Sequence, residues 1–467
     1  MLIFIENTPK AYAWGSKDAL PEMLGVAPTG EPQAELWLGT HPGSPAHVAK
    51  ATPVEHTLID LVESDPEHYG VDGGPLPFLL KVLAIGRPLS LQVHPNQEQA
   101  AAGFAAEEAA GVPRDAPHRN YCDPTHKPEL LVALSDVTAL SGFRPLGAAR
   151  EDLLLLAAAA RELGRAAASH GLERAACRLV GRDPGALRRE FLTWAFSGDP
   201  SIADALDGLA EVVGTAPVGE AQGREAPGGD APGGGSDFWA RALEDGSVDP
   251  ARLASLRALA TEHPGDPGVL VSLLLHLVRL EPGEAIFLAA GQLHAYLSGI
   301  AVEVMASSDN VLRAGLTQKH IDIAELCRIV DTEELVDPRF PAERSRPGLL
   351  AWRPAVPEFQ LARVRLCERD TEVGGSAHSA EAGFSAAEAT EEVTLPVHCP
   401  VVLVVTAGRV RVERPDAQPS EVASVRRGQS LYVSAGEPIR LSGQGEVFLA
   451  SVGAEITDRV ARDVVQK

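Results

Sequence analysis

Pro145 divides this chain into two kinds of sequence. Before it, short apolar runs such as residues 78–83 and 89–94 are broken by turn formers, here Gly86 and Pro88. Turn signals at that density predict a β-sandwich or barrel. The first residues, Leu2 to Glu6, read as a strand; they lack the basic start of a signal peptide. After Pro145 the pattern turns helical: residues 150–165 hold Leu153 to Leu156 and a run of alanines with no β-branched residue. Further helices are expected at about 172–181, 186–197, 201–213, 238 onward and 251–262, with Asp183-Pro184 as a helix start. A Gly/Pro-rich run at about 214–236 is expected to be a disordered loop without a function of its own. Strands return from about Val278, a helix is expected at about 320–330, and residues 350–467 are again strand-rich.

The predicted fold is therefore mainly β: two β-barrels with an inserted α-helical unit. Residues 1–145 and 270–340 would form one barrel, 146–269 the helical unit and 341–467 the second barrel. With 467 residues, about three domains are what the length allows. A faint internal repeat supports the pairing of barrels. Residues 282–294 and 427–439 both read as turn, apolar strand, Gly turn and new strand, with His294 in the first copy and Ile439 in the second. The second barrel would thus be a degenerate copy that lacks the first one's histidine.

Composition excludes some classes of function. The chain carries 41 Lys and Arg against 64 Asp and Glu, a net charge of −23. That argues against partners with a phosphate backbone or an anionic membrane surface. An anionic small molecule would need a local cluster of cations. The apolar stretch 269–278 is too short to span a bilayer. Five scattered cysteines form no CxxC pair, so a reducing, cytoplasmic setting is expected. The absence of a long exposed apolar stripe makes a monomer the default.

Several segments are denser in chemistry than a core needs. Gln92 and His94 are two apart in an extended stretch, so both face the same side. Residues 121–129 crowd His126, Lys127 and Glu129 around two prolines, and Pro128 keeps the segment extended. His294 follows a Gly turn at the start of a strand, and the polar run after it contains Glu303, Ser308, Asp309, Asn310, Arg313, Thr317 and Lys319. His263, His276 and His320 read as core or helix-face histidines and are left outside the site.

These motifs resemble those of type I mannose-6-phosphate isomerases (phosphomannose isomerases), members of the cupin superfamily. Residues 121–129 match the family signature Tyr-x-Asp-x-(Asn/His)-His-Lys-Pro-Glu except at Thr125. Residues 294–319 match the second, His-Ala-Tyr to Thr-Pro-Lys, except that Gln318 replaces proline. Residues 12–16, 34–37, 78–83 and 89–95 are also similar. The resemblance implies cupin-like jelly rolls and one zinc ion per chain, held by Gln92, His94, Glu129 and His294. It implies reversible conversion of mannose 6-phosphate to fructose 6-phosphate through an enediol, in mannose catabolism or GDP-mannose synthesis. Arg313 would be catalytic as a fixed positive charge. Lys127, Glu303 or a zinc-bound water would be the base, with Lys127 favoured, and His126 would help open the sugar ring. Ser90, Lys81 and Lys319 would bind the phosphate, and Tyr296 and Trp14 would line the pocket. The alternatives are an isomerase of another sugar, a silent sugar-phosphate sensor and an iron oxygenase.

Overall fold

The structure, a computed structural model, describes residues 1–49, 56–216, 235–367 and 388–453. Most of the run at 214–236 lies outside the described residues. The described strands form a nine-stranded and a ten-stranded sheet. The nine-stranded sheet is assembled from both sides of the helical region, because the strand His294–Ala306 pairs with Phe78–Ile85, Glu129–Ala133 and Val137–Phe143. The ten-stranded sheet is built mainly from residues 343–451.

Two strands depart from the expected division. Leu2–Glu6 pairs with Ser430–Val433, and His47–Val48 pairs with Leu2–Glu6, so both belong to the C-terminal sheet. Antiparallel pairing across more than 400 residues leaves no local sequence signal. The segment between 1 and 145 also contains helices where only strands were read. The longest, Gln97–Ala109, starts at a capping box in which Asn96 accepts from the Gln99 backbone and the Gln99 side chain accepts from the Asn96 backbone.

The helical insertion follows the expected order. Helices Leu146–Glu162, Ala166–Cys177, Pro184–Ala195, Pro200–Gly214 and Pro250–Glu262 bury Leu and Ala stripes in one core. Asp183 caps its helix through Ala186 N–H at 3.0 Å, with Pro184 in the first turn. The same core takes in Leu91, Val93, Leu140, Phe143 and Leu312 of the nine-stranded sheet, so the helices are seated directly on it.

The strand Phe78–Ile85 shows how the core sets the site. It is buried on both faces. Phe78, Leu80, Val82 and Ala84 face a core shared with Trp352, Phe359, Tyr432 and Phe448 of the other sheet. Leu83 and Ile85 face the barrel interior with Leu131, Ala133, Ala139 and Tyr296. Period-two alternation therefore puts Lys81 on the interior face. No helix among the described residues is long and apolar enough to cross a membrane.

Candidate active site

Gln92, Glu129 and His294 come from three strands of the nine-stranded sheet and meet by register, and His94 directly follows the strand that carries Gln92. Gln92 stands opposite His294 on one side and Arg313 on the other. Glu129 stands opposite Met305. Parity alone would set His294 and Tyr296 on the opposite face from Glu303. An irregularity between Tyr296 and Ser298 shifts the register, next to Gly299 at φ 110°. The bulge brings both halves of the strand to the same interior.

His94, Glu129 and His294 are 1%, 2% and 0% exposed. Each ring uses Nδ1 to reach a carbonyl: His94 donates to Asn310 O at 2.7 Å and His294 to Gln292 O at 2.9 Å. Both Nε2 atoms then present lone pairs to Glu129, at 3.3 and 3.5 Å. Burial pulls the His94 pKa down to about 4, so its ring is neutral. Burial alone would raise Glu129, but Lys127 at 2.8 Å holds its carboxyl well below the usual range. Among the described residues, His94 Nε2 and Glu129 Oε2 have no hydrogen-bond partner. Buried electron-pair donors facing one another call for a cation, and the ligand atoms lie within 4.8 Å of each other. Gln92 Nε2 is 3.2 Å from His294 Nε2. A half-turn of its amide presents the oxygen to the same point.

The two signature segments hold each other in place. The Asn310 amide donates to Asp123 O at 2.7 Å and Thr125 O at 2.8 Å and accepts from Cys122 N–H at 2.7 Å. Ser308 donates to Asp123 Oδ1 at 2.9 Å. This knot orients Lys127 and Glu129 from one side and His94 from the other. Position 125 enters it through its carbonyl, which explains why threonine is tolerated there.

Beside this group lies a cavity of about 540 Å³, ample for a phosphorylated hexose. Gln92, Lys127, Glu129, Tyr296, Glu303, Arg313, Ser90 and Lys319 all line it. Glu303 is pushed up to about 7 by burial and by Glu129. Tyr296 donates to it at 2.9 Å, and burial and Glu303 together hold the Tyr296 hydroxyl protonated.

Two residues assigned from the sequence have carboxylate partners of their own. Lys81 sits between Glu303 at 3.4 Å and Glu35 at 3.6 Å, 4.8 Å above the Trp37 ring. Burial would lower its pKa, but the two carboxylates raise it above the usual range. Lys81 lines the cavity with its charge matched by these two carboxylates. His126 does not line the cavity; its Nε2 pairs with Glu358 Oε1 of the C-terminal region at 2.7 Å. It is placed there because its neighbour Lys127 takes the inward side of an extended segment.

Sequence reasoning missed others. Glu35 and Trp37 line the cavity, and Trp37 Nε1 donates to Glu35 Oε2 at 2.5 Å. The two-residue spacing of Glu35 and Trp37 on a strand was the available signal. Asp309, which lines the cavity, lies 3.4 Å from buried His41. Glu262 and His263 also line it, from the end of a helix. His263 is therefore a cavity residue, and nothing in its local pattern marks it as one.

Comparison with known proteins agrees with this geometry. The family model for the catalytic domain of type I phosphomannose isomerases matches residues 2–146. The mannose-6-phosphate isomerase of Escherichia coli is 40% identical over 333 residues, covering 70% of this chain and 74% of that protein. The chain belongs to the mannose-6-phosphate isomerase family. The human member is 29% identical over 452 residues, 92% of each chain. A zinc-bound crystal structure of a mannose 6-phosphate isomerase superposes with a TM-score of 0.75 at 30% identity, covering 97% of this chain and all of that one. The mannose-6-phosphate isomerase architecture confirms the fold class read from the sequence: mainly β, two cupin-like jelly rolls and an inserted helical unit.

Proposed function

We propose that this chain interconverts mannose 6-phosphate and fructose 6-phosphate with one zinc ion held by Gln92, His94, Glu129 and His294. The observation that carries the reading is the buried His94–Glu129–His294 group beside a cavity that also holds cations with no carboxylate partner. Arg313 and Lys319 make no ion pair among the described residues. Burial lowers the pKa of both, and Arg313 adds to the effect on Lys319. Lys319, a cation without counter-charge, suits a phosphate, with Ser90 also on the cavity wall.

The bound zinc supplies Lewis acidity toward the sugar oxygens. The protein's own groups do the rest. Glu303, steadied by Tyr296 and Lys81, takes the proton from carbon 2 of the open sugar and returns it to carbon 1 through a cis-enediol. Lys127, held against Glu129, and Arg313 offset charge that develops on the oxygens. The working division remains 1–145 with 270–340, 146–269 and 341–467, with the strands at 2–6 and 47–48 assigned to the last. A monomer in the cytoplasm, serving mannose catabolism or GDP-mannose synthesis, completes the reading. The odd cysteine count without CxxC pairs supports that compartment.

A coupled assay of mannose 6-phosphate conversion tests the proposal. Activity should vanish on chelation and return with zinc. A zinc-loaded chain inactive on mannose 6-phosphate would overturn it.

A further inference from the structure

The loop carrying Arg313 and Lys319 packs against a turn of the helical region. That turn, residues 262–268, links the helices Pro250–Glu262 and Gly268–Ser272. Its first residues, Glu262 and His263, line the cavity. Asp266 divides its carboxylate between the two segments. Oδ1 accepts from Gly268 N–H at 2.7 Å and Oδ2 from Thr317 N–H at 3.0 Å. Thr317 Oγ1 in turn accepts from Lys319 N–H at 3.1 Å.

The two backbones approach as closely as the chain allows. A Cβ on Gly315 would lie 2.4 Å from Gly268 Cα, and one on Gly268 would lie 2.7 Å from Leu316 N. Leu316, between Gly315 and Thr317, is held at φ 55°, a left-handed conformation that a branched side chain rarely adopts. Such a conformation persists only where its surroundings impose it. Here Leu91 holds the residues before Leu316, with Ala314 N–H donating to Leu91 O at 2.7 Å and Leu91 N–H to Gly315 O at 3.0 Å, and Asp266 holds Thr317 after it. Proline at 318 would have stiffened this loop from within; with Gln318 the external clamp supplies the constraint.

We propose that Asp266 is a positioning residue for the anion pocket: it fixes the 315–319 loop, which follows the strand holding Arg313, so that Lys319 stays aimed at the cavity. This gives the helical region a part in substrate binding, and it rests on the reading that the pocket takes the phosphate of a sugar phosphate. The sign of the effect separates geometry from charge. A carboxylate acting by charge would repel a phosphate, and neutralising it would tighten binding. A carboxylate acting by its two backbone bonds would weaken binding when lost.

The test is Asp266→Asn in the zinc-loaded full chain, with inorganic phosphate as the probe. The inhibition constant for phosphate and the KM for mannose 6-phosphate should rise together by about tenfold, with kcat and zinc content near wild type. Thr317→Val, which removes the acceptor for Lys319 N–H, should move both constants the same way by less. Leu256→Ala, in the same helical region but away from the turn, should lower Tm and leave both constants alone. Unchanged constants in Asp266→Asn, tighter phosphate, or a KM rise shared by Leu256→Ala would each overturn the proposal. Calorimetric titration with phosphate reads the same contrast without turnover, so it still decides the question if mannose 6-phosphate proves not to be the substrate.

Discussion

Glu303 and Lys127 both face the cavity, but their partners differ, and that difference decides their roles. Glu303 receives a hydroxyl hydrogen bond from Tyr296 and an ion pair from Lys81. Lys127 is bound to Glu129. Glu303→Gln should lower kcat by about 10²–10⁴-fold with zinc content unchanged, read by coupled assay and elemental analysis. A variant with near-normal kcat would return the role of base to Lys127. His126→Ala, by contrast, should leave kcat and KM as they are and cost only the contact with Glu358. The ligand chemistry also sets a pH dependence. His94 is held neutral by burial, with its pKa lowered to about 4, and Glu129 is held ionised. Protons therefore compete with the metal at His94 only in strong acid. The His94 ring resonances of the metal-free protein should show no protonation between pH 7 and about 5, below the midpoint near 6.5 of an ordinary histidine. A His94 midpoint above about pH 6 would contradict this.

Among the elements, the strand His294–Ala306 carries the most function, and its bulge is what makes it work. Gly299 holds φ 110°, and a Cβ there would lie 2.5 Å from Asp136 O. Gly299→Ala should cost more than about 1 kcal/mol in urea unfolding and should also depress kcat, because His294 and Glu303 would no longer share a face. The knot between residues 121–125 and 308–310 is the second such element. Asn310 fills its amide with three backbone partners while its own carbonyl orients His94. Asn310→Ala should weaken zinc binding by about 10–100-fold, measured by competition with a chelator. These elements also show where the sequence was legible. The motif residues were visible because they are polar, close in sequence and spaced for one strand face. Glu262, His263 and Asp266 were not, because the turn that carries them reaches the cavity only when the helices are seated on the sheet.

For the whole molecule, the two sheets share one apolar layer. Leu80, Val82, Val302 and Val304 of the first pack with Trp352, Phe359, Tyr432 and Phe448 of the second. Trp352→Ala should cost about 3–5 kcal/mol, and near- and far-ultraviolet circular dichroism should report the loss together in both sheets. Bound zinc should raise Tm by mass action, since the unfolded chain lacks the site, with about 2.7 kcal/mol gained at a free zinc concentration one hundred times Kd. The sequence by itself determined the order of a strand-rich part, a helical part and a second strand-rich part, and it marked His94, Glu129 and His294 as polar residues that belong together. Hydrophobic periodicity and local motif spacing are properties of neighbouring residues. The tertiary structure alone decided the pairing of Leu2–Glu6 with Ser430–Val433, the carboxylate partners of Lys81 and His126, and the clamp from Asp266 to Thr317. Each of these depends on contacts between residues far apart in the chain, whose geometry is fixed by packing and leaves no periodic trace in either partner.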